Sequence, residues 1–171
     1  MKTFVYSDPH FGHDAIIKYE SRPFDNVNHM DKELIDNWNE HVGKNDLVYV
    51  LGDFSFYNLA KTEEIVRSLN GRKRLLLGNH DRGHSLTWWK KAGFEDVYEH
   101  PICYGGFYWF SHEPMYVNSH MPYVNVHGHI HGQKYESEQY VNVSVEHTEY
   151  KPVLFEIISA RFQKEHENET F

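Results

Sequence analysis

The chain of 171 residues has one cysteine, Cys103, so no disulfide can form within it, and a reducing, intracellular setting is favoured. Nor is there an excess of basic charge: 17 Lys and Arg stand against 25 Asp and Glu, a formal net charge of −8. Extended nucleic-acid binding through a broad basic face is therefore not expected. No apolar run approaches the roughly 20 residues that cross a bilayer. The amino terminus, Met1-Lys2-Thr3-Phe4-Val5-Tyr6-Ser7, turns polar too soon for a signal peptide. A soluble cytoplasmic protein is expected. Internal repeats, low-complexity segments and linkers are lacking too, which suits a single domain over residues 1–171. The stretch 163–171, almost all polar, reads as a frayed tail.

What the chain has instead is histidine, 14 in all, and short apolar runs that end in ligand-type residues. Residues 3–7 are β-prone and are stopped by Asp8-Pro9, since proline cannot donate to a ladder. Met30, Leu34, Ile35, Trp38 and Val42 recur at helical spacing, between Asn28 as N-cap and Gly43 as stop. Leu47-Val48-Tyr49-Val50-Leu51 has the continuous apolarity of a strand buried on both faces, and it leads into Gly52-Asp53. A second helix is expected from Thr62, its cap, to Gly71, and a strand over Leu75-Leu76-Leu77 before Gly78-Asn79-His80-Asp81. Ser85 caps a third helix that ends at Gly93, and short strands follow at 94–98, 107–110, 124–126, 140–143 and 153–158.

Asp8 with His10, Asp53, Asn79 with His80, Ser111 with His112, and the histidines of 127–131 thus each lie just past a strand, where open α/β sheets place their sites. The last group is Val126-His127-Gly128-His129-Ile130-His131-Gly132. An extended backbone points positions i, i+2 and i+4 the same way, so three imidazoles aimed at one metal are the simplest reading. Asp, Asn and His donors without thiolate suit Mn²⁺, Fe, Zn²⁺ or Ni²⁺ and argue against a Cys-rich structural zinc. A pair of such ions needs a bridging carboxylate, for which Asp53, beside Gly52 and after a buried strand, is the natural candidate.

Taken in order, Asp8-x-His10, Gly52-Asp53, Gly78-Asn79-His80-Asp81, His112 and Gly128-His129-x-His131 resemble the signature of the calcineurin-like metallophosphoesterase superfamily. Arg22-Pro23-Phe24 is similar to a stretch of its small single-domain bacterial and phage members. The resemblance implies an α/β fold, a four-layer α/β/β/α sandwich with two stacked sheets inside and helices outside. It implies hydrolysis of a small phosphoester, a diester or nucleotide-like compound first, by in-line attack of a metal-bound hydroxide. Two divalent ions per chain are implied, Mn²⁺ ahead of Fe, Zn²⁺ or Ni²⁺. Carried over position by position, Asp8, His10 and His131 hold one ion, Asn79, His112 and His129 the other, and Asp53 bridges them. His80 contacts the phosphoryl oxygen or protonates the leaving group, and Asp81 either orients His80 or caps the turn after it. The histidine run is thereby divided between two ions, with His127 in a supporting role.

The protein serine/threonine phosphatases of that superfamily follow their Gly-Asp with Asp-Arg-Gly, whereas Gly52-Asp53 here runs into Phe54-Ser55-Phe56-Tyr57, which disfavours a phosphoprotein substrate. His13 either touches the substrate phosphate or hydrogen-bonds within its loop. Arg22 and Arg82 either clamp a second phosphate or sit in surface ion pairs. Phe11, Phe54, Phe56, Tyr57, Trp88, Trp89, Tyr116 and Tyr123 offer stacking to a base or ordinary packing. A nuclease is the alternative activity, which the acidic balance disfavours. A non-catalytic protein-binding scaffold of the same fold is the other alternative, for which the full ligand set is superfluous.

Overall fold

The computed structural model describes residues 1–166, the last four as backbone only. Strands β1 (Thr3–Tyr6), β2 (Leu47–Val50), β3 (Arg72–Leu76) and β4 (Asp96–Tyr98) pair in parallel, and β9 (Val153–Leu154) adds antiparallel to β1, giving the order β4-β3-β2-β1-β9. A second sheet holds β5 (Ile102–Tyr104), β6 (Tyr108–Phe110), β7 (Val124–His127) and β8 (Tyr140–Asn142) in chain order, parallel from β6 to β8, with β5 antiparallel at its edge.

Side-chain alternation divides the first sheet between two apolar layers. Phe4, Tyr6, Val48, Val50 and Leu75 share one cluster with Met30, Leu34 and Trp38 of helix α2 (Val27–His41), Ile65 and Val66 of α3 (Leu59–Ser68) and Trp89 of α4 (Leu86–Ala92). Their neighbours in sequence, Val5, Leu47, Tyr49, Leu51 and Leu76, join Phe110, Val124 and Val126 of the second sheet and Phe155 and Ile158 of α5 (Phe155–His166). A strand apolar on both faces is the signature of this double covering. Helices thus flank two stacked sheets, in the α/β sandwich that the resemblance implied. No helix among the described residues is long and apolar enough to cross a membrane.

Several local expectations shift. The N-cap of α2 is Asn26, whose side chain accepts from His29 N at 3.0 Å, and not Asn28. Asn58 caps α3 in the same way, while Thr62 lies inside that helix with its hydroxyl 2.9 Å from Ser55 Oγ. Ser85 and a left-handed Gly93 (φ 114°) bound α4 as expected. The run 153–158 is a strand only over Val153–Leu154 and then turns helical, because Phe155, Ile158 and Phe162 are buried at helical spacing while Ile157 is 56% exposed. Helix α5 continues through 163–166, which corrects the start of the expected frayed tail; 167–171 lie outside the described residues. Helix α1 (Asp14–Tyr19) and edge strand β5 were not anticipated.

Candidate metal centre

Because β1, β2 and β3 run parallel, their carboxyl ends open at one edge, and the two sheets are joined there. The β1–β2 ladder continues into the loops through Asp8 N→Gly52 O, His10 N→Asp53 O and Phe11 N→Phe54 O at 3.0–3.1 Å. A parallel bridge of Ser7 with Ser144 and the bond Val145 N→Ser7 O (3.1 Å) tie in the second sheet. A Cβ on Gly128 would collide with Ser7 Oγ and Asp8 Oδ2, so only glycine lets the sheets close to this distance.

Beyond the strands the backbone leaves ordinary geometry. Of eight non-glycine residues with positive φ among the described residues, five are Asp8, His10, Asp53, His129 and His131, at φ 46–69°. A left-handed non-glycine residue costs on the order of 1–3 kcal/mol and persists where surrounding structure enforces it, typically at functional sites. This overturns the extended reading of the histidine run. Left-handed turns at His129 and His131 send their imidazoles to different places, and His127 stays in β7, fully buried, its Nδ1 2.9 Å from Gly128 O and its ring edge-on to Tyr135 and Tyr140.

The first pocket is formed by Asp8, His10 and His131. Asp8 Oδ2 accepts from Ser7 Oγ (2.6 Å), Ser144 Oγ (3.0 Å) and His129 N (2.9 Å), which leaves Oδ1 alone to face His10 Nε2 at 3.7 Å and His131 Nε2 at 4.0 Å. Asp8 Oδ1 and His10 Nε2 are buried and hydrogen-bond to nothing. Buried polar atoms are nearly always satisfied, and donors about 2.0–2.2 Å from a shared cation stand roughly 3–4 Å apart. These three residues fit a divalent ion.

The second pocket is formed by Asn79, His112 and His129. Asn79 Oδ1 lies 2.9 Å from both His112 Nε2 and His129 Nδ1, and the two imidazole nitrogens are 3.2 Å apart. His112 Nδ1 is fixed by Leu51 O at 2.8 Å, so its Nε2 is the atom turned to the pocket. Asp53 Oδ2 stands between the pockets, 3.5 Å from His10 Nε2 and 3.5 Å from His112 Nε2, where a bridging carboxylate belongs. All seven residues singled out as ligands are therefore brought together. The donor set, oxygen and imidazole nitrogen without thiolate, suits borderline-to-hard divalent ions.

Burial opposes charge throughout this cluster. At Asp8 and Asp53 it is outweighed by the neighbouring imidazoles, chiefly those of His10 and His112 respectively, so both carboxyls stay below the usual range. At His112 burial is outweighed by Asp53 and Asp8, which raise the imidazole to about 9, whereas burial wins at His10 and lowers it. Two ionised carboxylates held in a buried cluster call for compensating positive charge.

Asp81 does neither of the things expected of it. It is fully buried, and its carboxylate accepts from Asp53 N (2.7 Å), Phe54 N (3.0 Å) and Gly78 N (2.9 Å), so it clamps the bridging loop to the Asn79 loop. Burial and the Asp53 charge push it up to about 7. His80 is at the rim with its side chain 48% exposed; its backbone donates to Asp53 Oδ1 at 3.0 Å, and its Nε2 is 3.9 Å from Asp53 Oδ2.

Arg22 is no phosphate clamp. It is buried, and its guanidinium donates to Glu146 (2.6 and 2.9 Å), Pro9 O and Asp8 O (both 2.9 Å), facing inward. Arg82 forms an exposed pair with Glu113 at 2.8 Å. His13 hydrogen-bonds within its loop, Nδ1 to His10 Nδ1 at 3.2 Å. Of the eight aromatics considered, Phe11, Phe54 and Trp89 are core and Trp88 stacks on His84, but Phe56 is 42% exposed among the site's histidines, 4.2 Å from the His13 ring and 5.0 Å from that of His80. Glu146, 3.2 Å from His131 Nδ1, was missed: it sits in a polar turn, and the only hint of it was an arginine, Arg22, in need of an acid.

Comparison with known proteins bears on this geometry. An uncharacterized protein of Methanocaldococcus jannaschii is 35% identical over 174 residues, 95% of this chain and 92% of that protein. The gene 66 protein of Mycobacterium phage D29 is 43% identical over 83 residues, 47% of this chain and 40% of that protein. A solved structure of a protein of unknown function from Aquifex aeolicus is similar with a TM-score of 0.73, covering 93% of this chain and 98% of that one, and at 24% identity the likeness is one of fold. The family model described as calcineurin-like phosphoesterase matches residues 1–165, a span that contains every candidate ligand from Asp8 to His131, and the chain belongs to that family.

Proposed function

We propose that the chain is a single metallophosphoesterase domain, cytoplasmic, that hydrolyses a small phosphoester with two divalent ions bound, Mn²⁺ ahead of Fe, Zn²⁺ or Ni²⁺. The observation that carries this reading is the pair of buried, unsatisfied atoms Asp8 Oδ1 and His10 Nε2, joined through Asp53 Oδ2 to a second cluster of donors. Asp8, His10 and His131 would hold one ion, Asn79, His112 and His129 the other, with Asp53 shared. When bound, such a pair supplies an activated water for in-line displacement and neutralises charge on the phosphoryl oxygens.

The chain's own residues do the rest. His80, exposed at the rim and anchored through its backbone to Asp53, would hydrogen-bond a phosphoryl oxygen or protonate the leaving group. Arg22 is turned inward and Arg82 is paired with Glu113, so neither adds charge for a phosphate dianion; a diester monoanion is the better match. Phe56 and His13 make an aromatic wall beside His80 on which a planar substituent such as a nucleobase would stack. The test is a metal-by-substrate screen on purified protein. Manganese-dependent hydrolysis of bis-p-nitrophenyl phosphate, with little action on p-nitrophenyl phosphate and two ions per chain by elemental analysis, is expected. Silence on both substrates with no bound metal would overturn the reading in favour of a non-catalytic scaffold.

A further inference from the structure

Behind the first pocket lies a buried ion pair that touches nothing in the second. Glu146 and Arg22 are 124 residues apart in sequence, their side chains 8% and 0% exposed, and Arg22 Nη2 meets Glu146 Oε1 at 2.6 Å. The same Oε1 is 3.2 Å from His131 Nδ1. The guanidinium also donates to Asp8 O and Pro9 O, two successive carbonyls within the turn that presents Asp8 and His10.

We propose that Glu146 and Arg22 form a positioning relay that holds the first pocket, and that pocket alone, in its ion-binding geometry. The inference rests on the two-ion reading given above. A carboxylate at Nδ1 fixes the imidazole as the Nδ1–H tautomer, which leaves the Nε2 lone pair of His131 directed at Asp8 Oδ1, and it raises the basicity of that nitrogen. Arg22 closes the circuit: its charge balances Glu146, and its two carbonyl contacts keep Asp8 and His10 in their left-handed turns. All three ligands of the pocket are thereby tied to one ion pair. Glu20 also comes within 4.8 Å of His131 and Glu146, and Glu146 Oε2 is buried without a partner; the relay engages His131 Nδ1 through Oε1, and the ion count below separates it from a third ion site.

The experiment measures bound Mn²⁺ per chain and stepwise Mn²⁺ affinity by titration calorimetry for the full chain, Glu146→Ala and Glu146→Gln, with circular dichroism to check the fold. The wild type is expected to bind two ions. Glu146→Ala is expected to weaken one binding step by about 10–100-fold and leave the other at its wild-type value, with hydrolysis recovering as Mn²⁺ is raised. Glu146→Gln keeps an acceptor for Nδ1–H and preserves shape; its loss in the same step should be smaller, and it carries the test if the alanine variant does not fold. Two wild-type affinities in the folded glutamine and alanine variants, or equal weakening of both steps, would overturn the relay while leaving the two-ion reading intact. A wild type that binds fewer than two ions would overturn that reading and the relay with it, and three ions would make Glu146 a ligand beside Glu20.

Discussion

In the first pocket Asp8 Oδ1 faces two imidazoles at 3.7 and 4.0 Å without hydrogen-bonding to either, whereas in the second Asn79, His112 and His129 meet one another at 2.9–3.2 Å. The difference follows from what lies behind each. Buried loops, two serines and the Arg22–Glu146 pair hold the first set of donors apart, while the Asn79 side chain, exposed on a loop that Asp81 anchors, rests directly on its two imidazole neighbours. An ion entering the first pocket meets demand that nothing else satisfies. One entering the second must displace hydrogen bonds worth about 0.5–1.5 kcal/mol each. The pockets are built from similar residues, yet one is preorganised and the other adjusts, so the first should fill at lower metal concentration.

The most severe way to break this comparison is at the group both pockets share. Asp53→Asn is expected to abolish two-ion binding and turnover together, read by elemental analysis and by diester hydrolysis; a variant that kept both ions would end the bridging role. Next in size, His80→Ala should retain both ions and lose about 10²–10³-fold in kcat, since its ring stands outside both donor sets. Unchanged turnover would remove His80 from the chemistry.

The remaining two tests sharpen the contrast. Asp81→Asn would turn an amide NH₂ or a single oxygen toward three backbone N–H groups, for an expected stability loss of about 2–4 kcal/mol, seen as a lowered Tm. The loss should persist with metal removed, because Asp81 holds the loops rather than an ion. Phe56→Ala is the mildest: about a tenfold rise in KM for an aryl diester, with kcat and ion count preserved, is expected from the loss of one stacking surface.

The candidate ligands were legible because each follows a strand whose apolar pattern announces it, and parallel strands deliver their carboxyl ends to one edge. Position along the chain says less about direction. Arg22, near the first motif in sequence, points into the protein and supports the pocket from behind. Glu146 carries no motif, and long-range contacts, among them the Ser7–Ser144 bridge and the bond from Asn142 Nδ2 to His131 O, bring it to His131. The alternation of His127, His129 and His131 misled because it assumed an extended backbone, and the two left-handed turns depend on contacts from other loops. Asn26 and Asn28 are equally good caps as residue types; the phase in which α2 buries Met30, Leu34 and Trp38 goes with the former.

The seam between the sheets also sets an order of events. Asp8, His10 and Asp53 come early in the chain, but their partners His129 and His131 follow β7, Ser144 and Glu146 follow β8, and β9 must still return to pair with β1. A nascent chain that has emerged only as far as β4 therefore carries two carboxylates, an imidazole and the Asn79 amide, with no histidine from the second sheet to complete either pocket. Metal capture is therefore expected as a late step, coupled to closure of the second sheet on the first, with the ion acting as a latch on that closure.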